Sequence, residues 1–278
     1  MVQPFRNLHQ SGNPFILANV WGRGTACLLA GMGARALATS SGAHAFSLGR
    51  ADMGNITRDE SLAHAQDILS ATSLPVSGDF ENGFGHDPGT VEETVKLSAE
   101  IGLAGISIED MALPELEPYE FDFAVERIRA ASAKARTLAH DFVLVARADG
   151  YMHGAYDLEE ATRRIQAFES VGADCVYVPY LRDLKSVALV CSSVSVPVNV
   201  SVSEVYSVSM GDLAKAGSAR ISLGQAMATA AHATIHGICQ DMFDSGDFSK
   251  LDTGSAYDQV EAAMMKGRDS GGITGKGT

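Results

Sequence analysis

The sequence predicts a single-domain α/β protein of the (β/α)8-barrel (TIM-barrel) class, and three observations support this prediction. Eight short segments rich in Val, Ile and Leu alternate with longer amphipathic segments along the 278 residues. A chain of this length with 46% apolar residues can bury the core of one barrel. Glycines that suit the end of a helix precede several of the apolar segments, as at Gly33, Gly102, Gly172 and Gly217.

The apolar segments are the predicted barrel strands, because strands buried on both faces form near-continuous apolar runs. They are Phe15–Asn19, Ala36–Ser40, Pro75–Asp79, Gly105–Glu109, Val143–Arg147, Cys175–Pro179, Pro197–Val200 and Arg220–Leu223. The amphipathic pattern predicts intervening helices, for example over Arg58–Ala71, Thr90–Ile101, Phe123–Ala139, Leu158–Val171 and Glu204–Ala216. A doubly wound sheet is the alternative, but no G-x-G-x-x-G follows the first strand, which disfavours its dinucleotide-binding form.

Two more helices are predicted after the eighth unit, over Ala226–Phe243 and Ala256–Lys266. We therefore expect one domain over residues 1–266. The last twelve residues, 267–278, have no apolar periodicity, and we expect them to be disordered. The final helix exceeds what one barrel needs, so we expect it to pack on a partner subunit of a homo-oligomer, a dimer or tetramer.

Composition excludes several classes of function. The formal net charge is −13, and an acidic surface repels phosphate backbones, so we expect no nucleic-acid partner. No apolar run reaches the roughly 20 residues that a membrane-spanning helix needs, and the first ten residues lack the apolar region of a signal peptide. The four cysteines form no C-x-x-C pair, which argues against a zinc or redox motif. We expect a cytoplasmic protein with no membrane partner.

Acidic side chains cluster at the predicted strand ends, where barrel enzymes carry their chemistry. The third, fourth and fifth strands, and the long segment after the second, supply Asp79, Glu81, Glu109, Asp110, Arg147, Asp149 and Asp52. A single carboxylate after a strand is often only the N-cap of the next helix. Because successive strand ends carry them together, the pattern favours one acidic site that contains an arginine.

Crowded carboxylates repel one another, and a divalent cation removes that cost. A ligand set made of oxygen atoms suits Mg²⁺, or Mn²⁺, rather than zinc. Arg147 is either an ion-pair partner of these acids or a fork that grips a substrate carboxylate, and the two roles are compatible. No lysine lies at a strand end, which argues against Schiff-base chemistry, whereas His44 and His86 lie in rim segments and could contact a ligand.

Several longer motifs follow one another in order from about Asn19 to Gln225. They are NVW at 19–21, TSSGAHAFSLGRAD at 39–52, SGDFENGFG at 77–85, GISIED at 105–110, VARAD at 145–149, GADCVYVP at 172–179, VPVNV at 196–200 and ARISLGQ at 219–225. This series resembles the isocitrate lyase/phosphoenolpyruvate mutase superfamily. The resemblance implies a barrel whose last helix swaps between neighbouring subunits, usually within a tetramer.

The resemblance also implies roles for individual residues. Asp79 would bind Mg²⁺ directly, and Glu81 and Glu109 would bind its water ligands, with Glu81 standing where the family usually has Asp. Arg147 would hold an α-keto acid or its enolate, and Asp52 would contact the metal waters or the substrate. The candidate contacts of a small anionic carboxylate substrate are Ser40, Ser41, Gly42, Trp21 and Asn199.

The reaction implied is cleavage of a carbon–carbon bond in a small 2-hydroxy or 2-keto acid through a metal-bound enolate, by a lyase or a related hydrolase or decarboxylase. Residues 111–123, MALPELEPYEFDF, stand where isocitrate and methylisocitrate lyases carry a K-K-C-G-H-type loop. They contain no Cys, His or Lys, so the proton donor stays open between water, Tyr151 and a histidine such as His44. Alternatives are a phosphonopyruvate hydrolase or phosphoenolpyruvate mutase type of enzyme, and a non-catalytic ligand-binding barrel.

Overall fold

The computed structural model describes residues 4–202, 207–252 and 254–270, and within them eight parallel strands close into a barrel. An antiparallel ribbon, β5 with β6, is inserted after β4. In chain order the strands of the described residues are β1 (Phe15–Asn19), β2 (Leu37–Ala38), β3 (Val76–Asp79), β4 (Gly105–Glu109), β5 (Met111–Ala112), β6 (Glu117–Pro118), β7 (Val143–Arg147), β8 (Cys175–Tyr177), β9 (Val198–Ser201) and β10 (Arg220–Ser222). The predicted fold class is confirmed, and each predicted barrel strand agrees with the observed one to within two residues at either end.

Helices surround the barrel on its outer side. They are α1 (Arg23–Gly31), α2 (Ser41–Ser47), α3 (Arg58–Leu69), α4 (Pro88–Glu100), α5 (Phe121–Arg136), α6 (Leu158–Ser170), α7 (Leu184–Ser192), α8 (Met210–Lys215), α9 (Ala226–Ser245) and α10 (Ala256–Ser270). The predicted helix over Glu204–Ala216 is shorter than expected, because it begins only at Met210. Ser209 caps it there with a reciprocal bond to Asp212, and residues 204–206 lie outside the described residues.

Local sequence signals set the helix ends. The predicted C-terminal glycines take left-handed conformations, with φ of +100° at Gly33 and +97° at Gly102, which residues with a Cβ rarely adopt. Polar side chains cap the helix starts, and each accepts a hydrogen bond from a backbone amide of the first turn: Ser40, Thr57, Asp87, Asp157, Asp183 and Ser209. None of the strand-end acids has this role, so the helix-cap interpretation is wrong for them.

The lower end of the barrel, where the strands begin, is closed by apolar packing. Phe5 and Leu8, from a short 3-10 helix over Phe5–Leu8, join a buried cluster with Phe15, Val143 and Cys175, the first residues of β1, β7 and β8. Arg6 anchors this segment through an ion pair with Asp174 at 2.6 Å. The opposite end, where the strands finish, carries the polar cavity described below.

The last helix, α10, packs against α1 of the same chain at very short range. A Cβ at Gly31 would lie 1.9 Å from the carbonyl oxygen of Ala263, and one at Gly267 would lie 1.8 Å from that of Cys27. The helix continues to Ser270, so the first residues of the predicted disordered tail are helical, and residues 271–278 lie outside the described residues.

Contact of the last helix with a partner subunit, and the oligomer itself, stay predictions. Large apolar side chains on and near α9 and α10 are exposed within the chain: Phe243, Phe248 and Tyr257. Among the described residues, no helix has the length and apolar character needed to span a membrane.

Candidate active site

A cavity of about 780 Å³ opens at the ends of the barrel strands, and every barrel strand contributes to its wall. The predicted site residues that line it are Ser40, Ser41, Asp52, Asp79, Glu81, Glu109, Arg147 and Asn199. Gly42 and Trp21 are absent from the lining within the described residues, although Gly42 packs directly on the Asp52 carboxylate. Most of the site residues that the sequence predicted therefore line one cavity.

Arg147, at the end of β7, is the centre of this site. Its Nη1 donates to Asp79 at 2.8 Å, its Nε donates to Asp149 at 2.9 Å, and its Nη2 lies 3.3 Å from a Glu109 oxygen. Burial alone would lower the pKa of Arg147, but the three carboxylates outweigh burial and raise it well above its ordinary value. The ion-pair role predicted for Arg147 is thus observed, and its grip on substrate stays a prediction.

Asp79 is fixed from both sides at the end of β3. Its Oδ2 accepts hydrogen bonds from the Ser41 amide at 3.0 Å and the Ser41 hydroxyl at 3.1 Å. Its own amide donates to the Thr39 hydroxyl at 2.8 Å. Ser40 has a partner as well, because its hydroxyl accepts from the Ala43 amide at the start of α2. The hydroxyls predicted to bind substrate therefore both have hydrogen-bond partners within the protein.

Glu81 is buried near Asp79, and its pKa is raised above the ordinary value. Burial, reinforced by repulsion from Asp79 and Asp52, raises its pKa to about 7. The Gly54 amide donates to its Oε1 at 3.1 Å and opposes that rise. An aspartate here would be one methylene shorter, so the longer side chain accounts for the contact with the loop after α2.

Two further carboxylates have buried oxygen atoms that lack any hydrogen-bond partner within the described part of the chain. They are Oδ1 of Asp52 and Oε1 of Glu109. Burial raises the pKa of both groups, and repulsion from Asp79 adds to it in each case. Unpaired buried carboxylate oxygens are costly, and they mark a place where a cation would be stabilising.

The residues present fit a divalent cation with a hydrated coordination sphere. Four carboxylates and two guanidinium groups line the cavity, which leaves a formal excess of two negative charges. All the anionic donors are oxygen atoms, as Mg²⁺ prefers. No three His, Cys, Asp or Glu side chains among the described residues converge closely enough to enclose one ion.

Three non-glycine residues of the cavity wall have left-handed backbone conformations. The φ values are +46° at Glu81, +70° at Met53 and +71° at Tyr180. Such conformations cost on the order of 1–3 kcal/mol each, and they gather at sites where side-chain placement matters more than stability. Glu81 belongs to the acidic cluster, and Met53 and Tyr180 line the same cavity, which supports its assignment as a functional site.

Comparison with known proteins identifies the family. A family model described as phosphoenolpyruvate phosphomutase matches residues 5–243. 2-Methylisocitrate lyase of Escherichia coli (strain K12) is 31% identical over 208 residues, which cover 72% of this chain and 69% of that protein. The chain belongs to the phosphoenolpyruvate phosphomutase family. It is thereby a member of the superfamily that its motifs resemble.

Two solved structures from Burkholderia cenocepacia J2315 are also similar to this family member. A candidate lyase or mutase is 41% identical with a TM-score of 0.88, and the alignment covers 93% of each chain. A candidate phosphonomutase is 32% identical with a TM-score of 0.79, covering 86% of this chain and 96% of that one. The similarity therefore extends to relatives on both the lyase side and the phosphonate side of the family.

In this family member Asp110 lies behind the cavity wall rather than within it. Its oxygens accept hydrogen bonds from the Asp149 amide at 2.7 Å, the Tyr156 hydroxyl at 2.6 Å and Arg164 at 3.0 Å. Asp110 was grouped with the rim acids on sequence grounds, and that grouping is wrong. Its observed role is to position Asp149, which in turn holds Arg147.

The candidate proton donors from the sequence do not line the cavity of the described chain. His44 is buried and stacked on His64 with ring centroids 3.9 Å apart, and burial together with His64 lowers its pKa to about 4. His86 bonds the Tyr119 hydroxyl at 3.0 Å, and Tyr151 packs against the apolar core. The phenols that do line the cavity are Tyr177 and Tyr180.

Sequence reasoning missed a second arginine in the cavity, Arg220 at the start of β10, together with the Ser77 hydroxyl on β3. A signal was present in the alternation of polar and apolar residues. Arg220 and Ser222 flank Ile221, and Asn199 and Ser201 flank Val200. Because side chains alternate between the two faces of a strand, this pattern places the polar residues in the barrel interior.

Proposed function

We propose that the protein is an Mg²⁺-dependent enzyme that cleaves a carbon–carbon bond in a small 2-hydroxy or 2-keto carboxylic acid, as a lyase or a related hydrolase or decarboxylase. The observation that carries the proposal is the Arg147 guanidinium, held by Asp79, Glu109 and Asp149 at the ends of neighbouring strands. The 2-methylisocitrate lyase among the relatives supports the same class of reaction.

Asp79 would bind the cation directly, with Glu81 and Glu109 holding its waters and Asp52 beside them. The bound cation would supply positive charge where the substrate develops negative charge, without a proton transfer. Mn²⁺ would serve the same purpose, since its ligand preferences are similar. The unpaired oxygens of Asp52 and Glu109 support this assignment.

Arg147 would bind the keto-acid end of the substrate through its Nη1 edge, because its Nε and Nη2 already hold Asp149. A second set of donors lies at the start of α2, where Ser40, Ser41 and Gly42 would contact a carboxylate. For Ser41 this means exchanging its present partner, Asp79, for the substrate. Such an exchange is favourable once the negative charge of Asp79 is balanced by a cation rather than by hydrogen bonds.

In a 2-hydroxy acid a cavity carboxylate would take the hydroxyl proton as the carbon–carbon bond breaks, so that the oxygen becomes the keto group of one fragment. The electron pair of the broken bond passes to the carbon beside the carboxylate of the other fragment, and that carbon must take up a proton. In a decarboxylation the pair stays instead on the keto-acid fragment, which takes up the proton. The phenols of Tyr177 and Tyr180 are the side chains of the lining that would donate it, because the cysteine of the lyase loop is absent. Arg182 donates a hydrogen bond to the Tyr180 hydroxyl and covers its ring at 4.1 Å. We assign the role to Tyr180, because Arg182 holds its hydroxyl in place.

The deciding experiment is a substrate panel of oxaloacetate, phosphonopyruvate and 2-hydroxydicarboxylates, assayed with Mg²⁺ and with excess chelator. We expect turnover of a carboxylic acid that is lost on chelation and in Asp79→Asn. Asp67→Asn is the matched control, because Asp67 is an exposed partner of Arg23 remote from the cavity. Full turnover in chelator would contradict the metal assignment, and no turnover of any acid would favour a non-catalytic binding barrel.

A phosphonate-processing enzyme is the second candidate, and one specific observation favours it. A phosphonate carries more charge than a carboxylate and needs more cationic partners than Arg147 alone. Arg220 is such a partner within the same cavity. Exclusive turnover of phosphonopyruvate in the panel would replace the first proposal with this one.

A further inference from the structure

We propose that Arg220 binds a second anionic group of the substrate at the floor of the cavity, opposite the end held by Arg147. The inference rests on the proposed function and adds a specificity-determining residue, which would select an acid with an anionic group at each end. A carboxylate and a phosphonate share the required chemistry, and the experiment below distinguishes them.

The strand register places the two arginines on different walls of the barrel. Arg147 pairs with Tyr177, Tyr177 with Asn199, and Asn199 with Arg220, so three strand-to-strand steps separate the two arginines. Each step is about 4.8 Å in a sheet. In an eight-stranded barrel three steps span more than a third of the circumference, so the two guanidinium groups face each other across the cavity.

Arg220 is a buried cation that forms no ion pair among the described residues, although the charge of the more distant Asp79 acts on it. The residue is 4% exposed, its Nε donates to the Asn199 side chain at 3.0 Å, and its Nη1 is buried with no hydrogen-bond partner. Burial lowers the pKa of Arg220, but a guanidinium stays protonated in proteins. A buried charge of this kind is destabilising unless a ligand pairs with it.

The surroundings of Arg220 hold it in place and supply a further donor. The Asn199 amide accepts from Arg220 through its oxygen and donates to the Ser222 hydroxyl at 2.9 Å through its nitrogen. Asn199 is thus a positioning residue for Arg220, which refines its predicted role as a direct substrate contact. The Ser77 hydroxyl lines the same cavity and is buried without a partner in the described structure.

The position of Arg220 determines how a ligand reaches it. The cluster around Phe5 and Leu8 closes the barrel beneath the cavity, so the mouth beside the carboxylates is the route of entry. A keto acid with one carboxylate would fill the upper end and leave Arg220 unpaired. A substrate with two anionic ends would pair with both guanidinium groups at once. The protein would therefore bind it more tightly than an acid with a single carboxylate.

The test measures, by isothermal titration calorimetry, how tightly the whole protein binds three 2-oxo acids of similar chain length in saturating Mg²⁺. 2-Oxopentanoate has one carboxylate, 2-oxoglutarate has a second carboxylate, and 2-oxo-4-phosphonobutanoate has a phosphonate in its place. We expect the wild type to bind at least one dianionic probe ten or more times tighter than 2-oxopentanoate. Tighter binding of the carboxylate or of the phosphonate probe identifies which anion Arg220 takes.

Arg220→Met should abolish the preference and change the affinity for 2-oxopentanoate less than twofold. Arg163→Met is the matched control, because it removes an exposed cation that does not line the cavity and should keep the preference. A cooperative thermal melt of Arg220→Met shows that the variant is folded, and Arg220→Lys should recover part of the preference.

Each outcome bears on the inference. Equal affinities of the wild type for the three probes, or an unchanged preference in folded Arg220→Met, would overturn the role of Arg220. Binding of 2-oxopentanoate without discrimination would leave the proposed function standing. If the wild type bound none of the probes with Mg²⁺, the inference would fail, and turnover in the substrate panel would decide the proposed function separately.

Discussion

Replacing Arg147 by lysine tests whether the planar fork, rather than a positive charge, organises the site. The guanidinium contacts three carboxylates, and its Nε and Nη2 both donate to Asp149. A lysine ammonium is a single point charge on a shorter stem, so it can replace one of these contacts well. The side chains of Asp149 and Glu109 are 0% and 4% exposed, so water cannot replace the others.

The magnitude follows from that burial. Leaving a buried charge without its partner costs about 3–5 kcal/mol, and a lysine recovers part of this cost. We therefore expect Arg147→Lys to lower the free energy of unfolding by roughly 2–3 kcal/mol. If the fork also orients the substrate, kcat/KM should fall about a hundredfold, which equals about 2.7 kcal/mol of transition-state stabilisation. Mg²⁺ should reduce the stability loss, because it balances the carboxylates that the lysine leaves unpaired.

Urea unfolding in chelator and in Mg²⁺ measures the first effect, and steady-state kinetics on the substrate found by the panel measure the second. A double-mutant cycle with Asp149→Asn isolates the bidentate pair. Arg163→Lys is the control, because Arg163 forms an exposed ion pair with Glu160 and should change stability by less than about 1 kcal/mol. Wild-type stability and turnover in Arg147→Lys would refute the reasoning.

Three other perturbations give distinct results. The pKa of Glu81 is about 7, above its ordinary 4.5, so the metal-free protein should lose stability as pH rises from about 4.5 through about 7. Glu81→Gln cannot ionise, so at pH 8 it should restore roughly 3 kcal/mol of the free energy of unfolding measured in urea. An unchanged pH profile of stability in this variant would contradict the raised pKa. Gly42→Ala would place a methyl group 2.3 Å from the Gln225 side chain and 2.6 Å from the Asp52 carboxylate and displace them, so kcat/KM should fall about tenfold or more while stability changes by less than about 1 kcal/mol; wild-type kinetics would show that the placement of these two side chains does not limit turnover. Arg127 is buried and donates to four backbone carbonyls around the Glu81 loop, so Arg127→Met should cost on the order of 3–5 kcal/mol, and a loss below about 1 kcal/mol on calorimetry would show that water replaces it.

The barrel was predictable because its determinants are local. Apolar runs such as Val143–Arg147 and left-handed glycines such as Gly102 fix strand and helix boundaries without reference to the rest of the chain. The same logic located Asp79, Glu109 and Arg147, since parallel strands bring their ends to one rim. The family motifs added Ser40 and Ser41, which no periodicity would have selected.

Features that depend on side-chain direction were harder to predict. Asp110 follows Glu109 directly, yet it faces Arg164 on the outer side of the barrel because successive strand residues alternate. Arg220 lies at the beginning of its strand, away from the rim, and reaches the cavity only because its long side chain points inward. The contacts of Ser41 with Asp79 depend on how α2 packs against the end of β3, and the local sequence around either residue does not determine that packing.

The closed lower end of the barrel has a consequence for the kinetics of binding. With Phe5 and Leu8 packed across the far end, an anion destined for Arg220 passes the carboxylates of Asp79, Glu81 and Glu109 on its way in. These carboxylates repel incoming anions until a bound cation neutralises their charge. The association rate of the substrate, and not its residence time alone, should therefore rise with the occupancy of the cation site. Stopped-flow measurements across a Mg²⁺ titration would then show an ordered sequence, with the cation entering first.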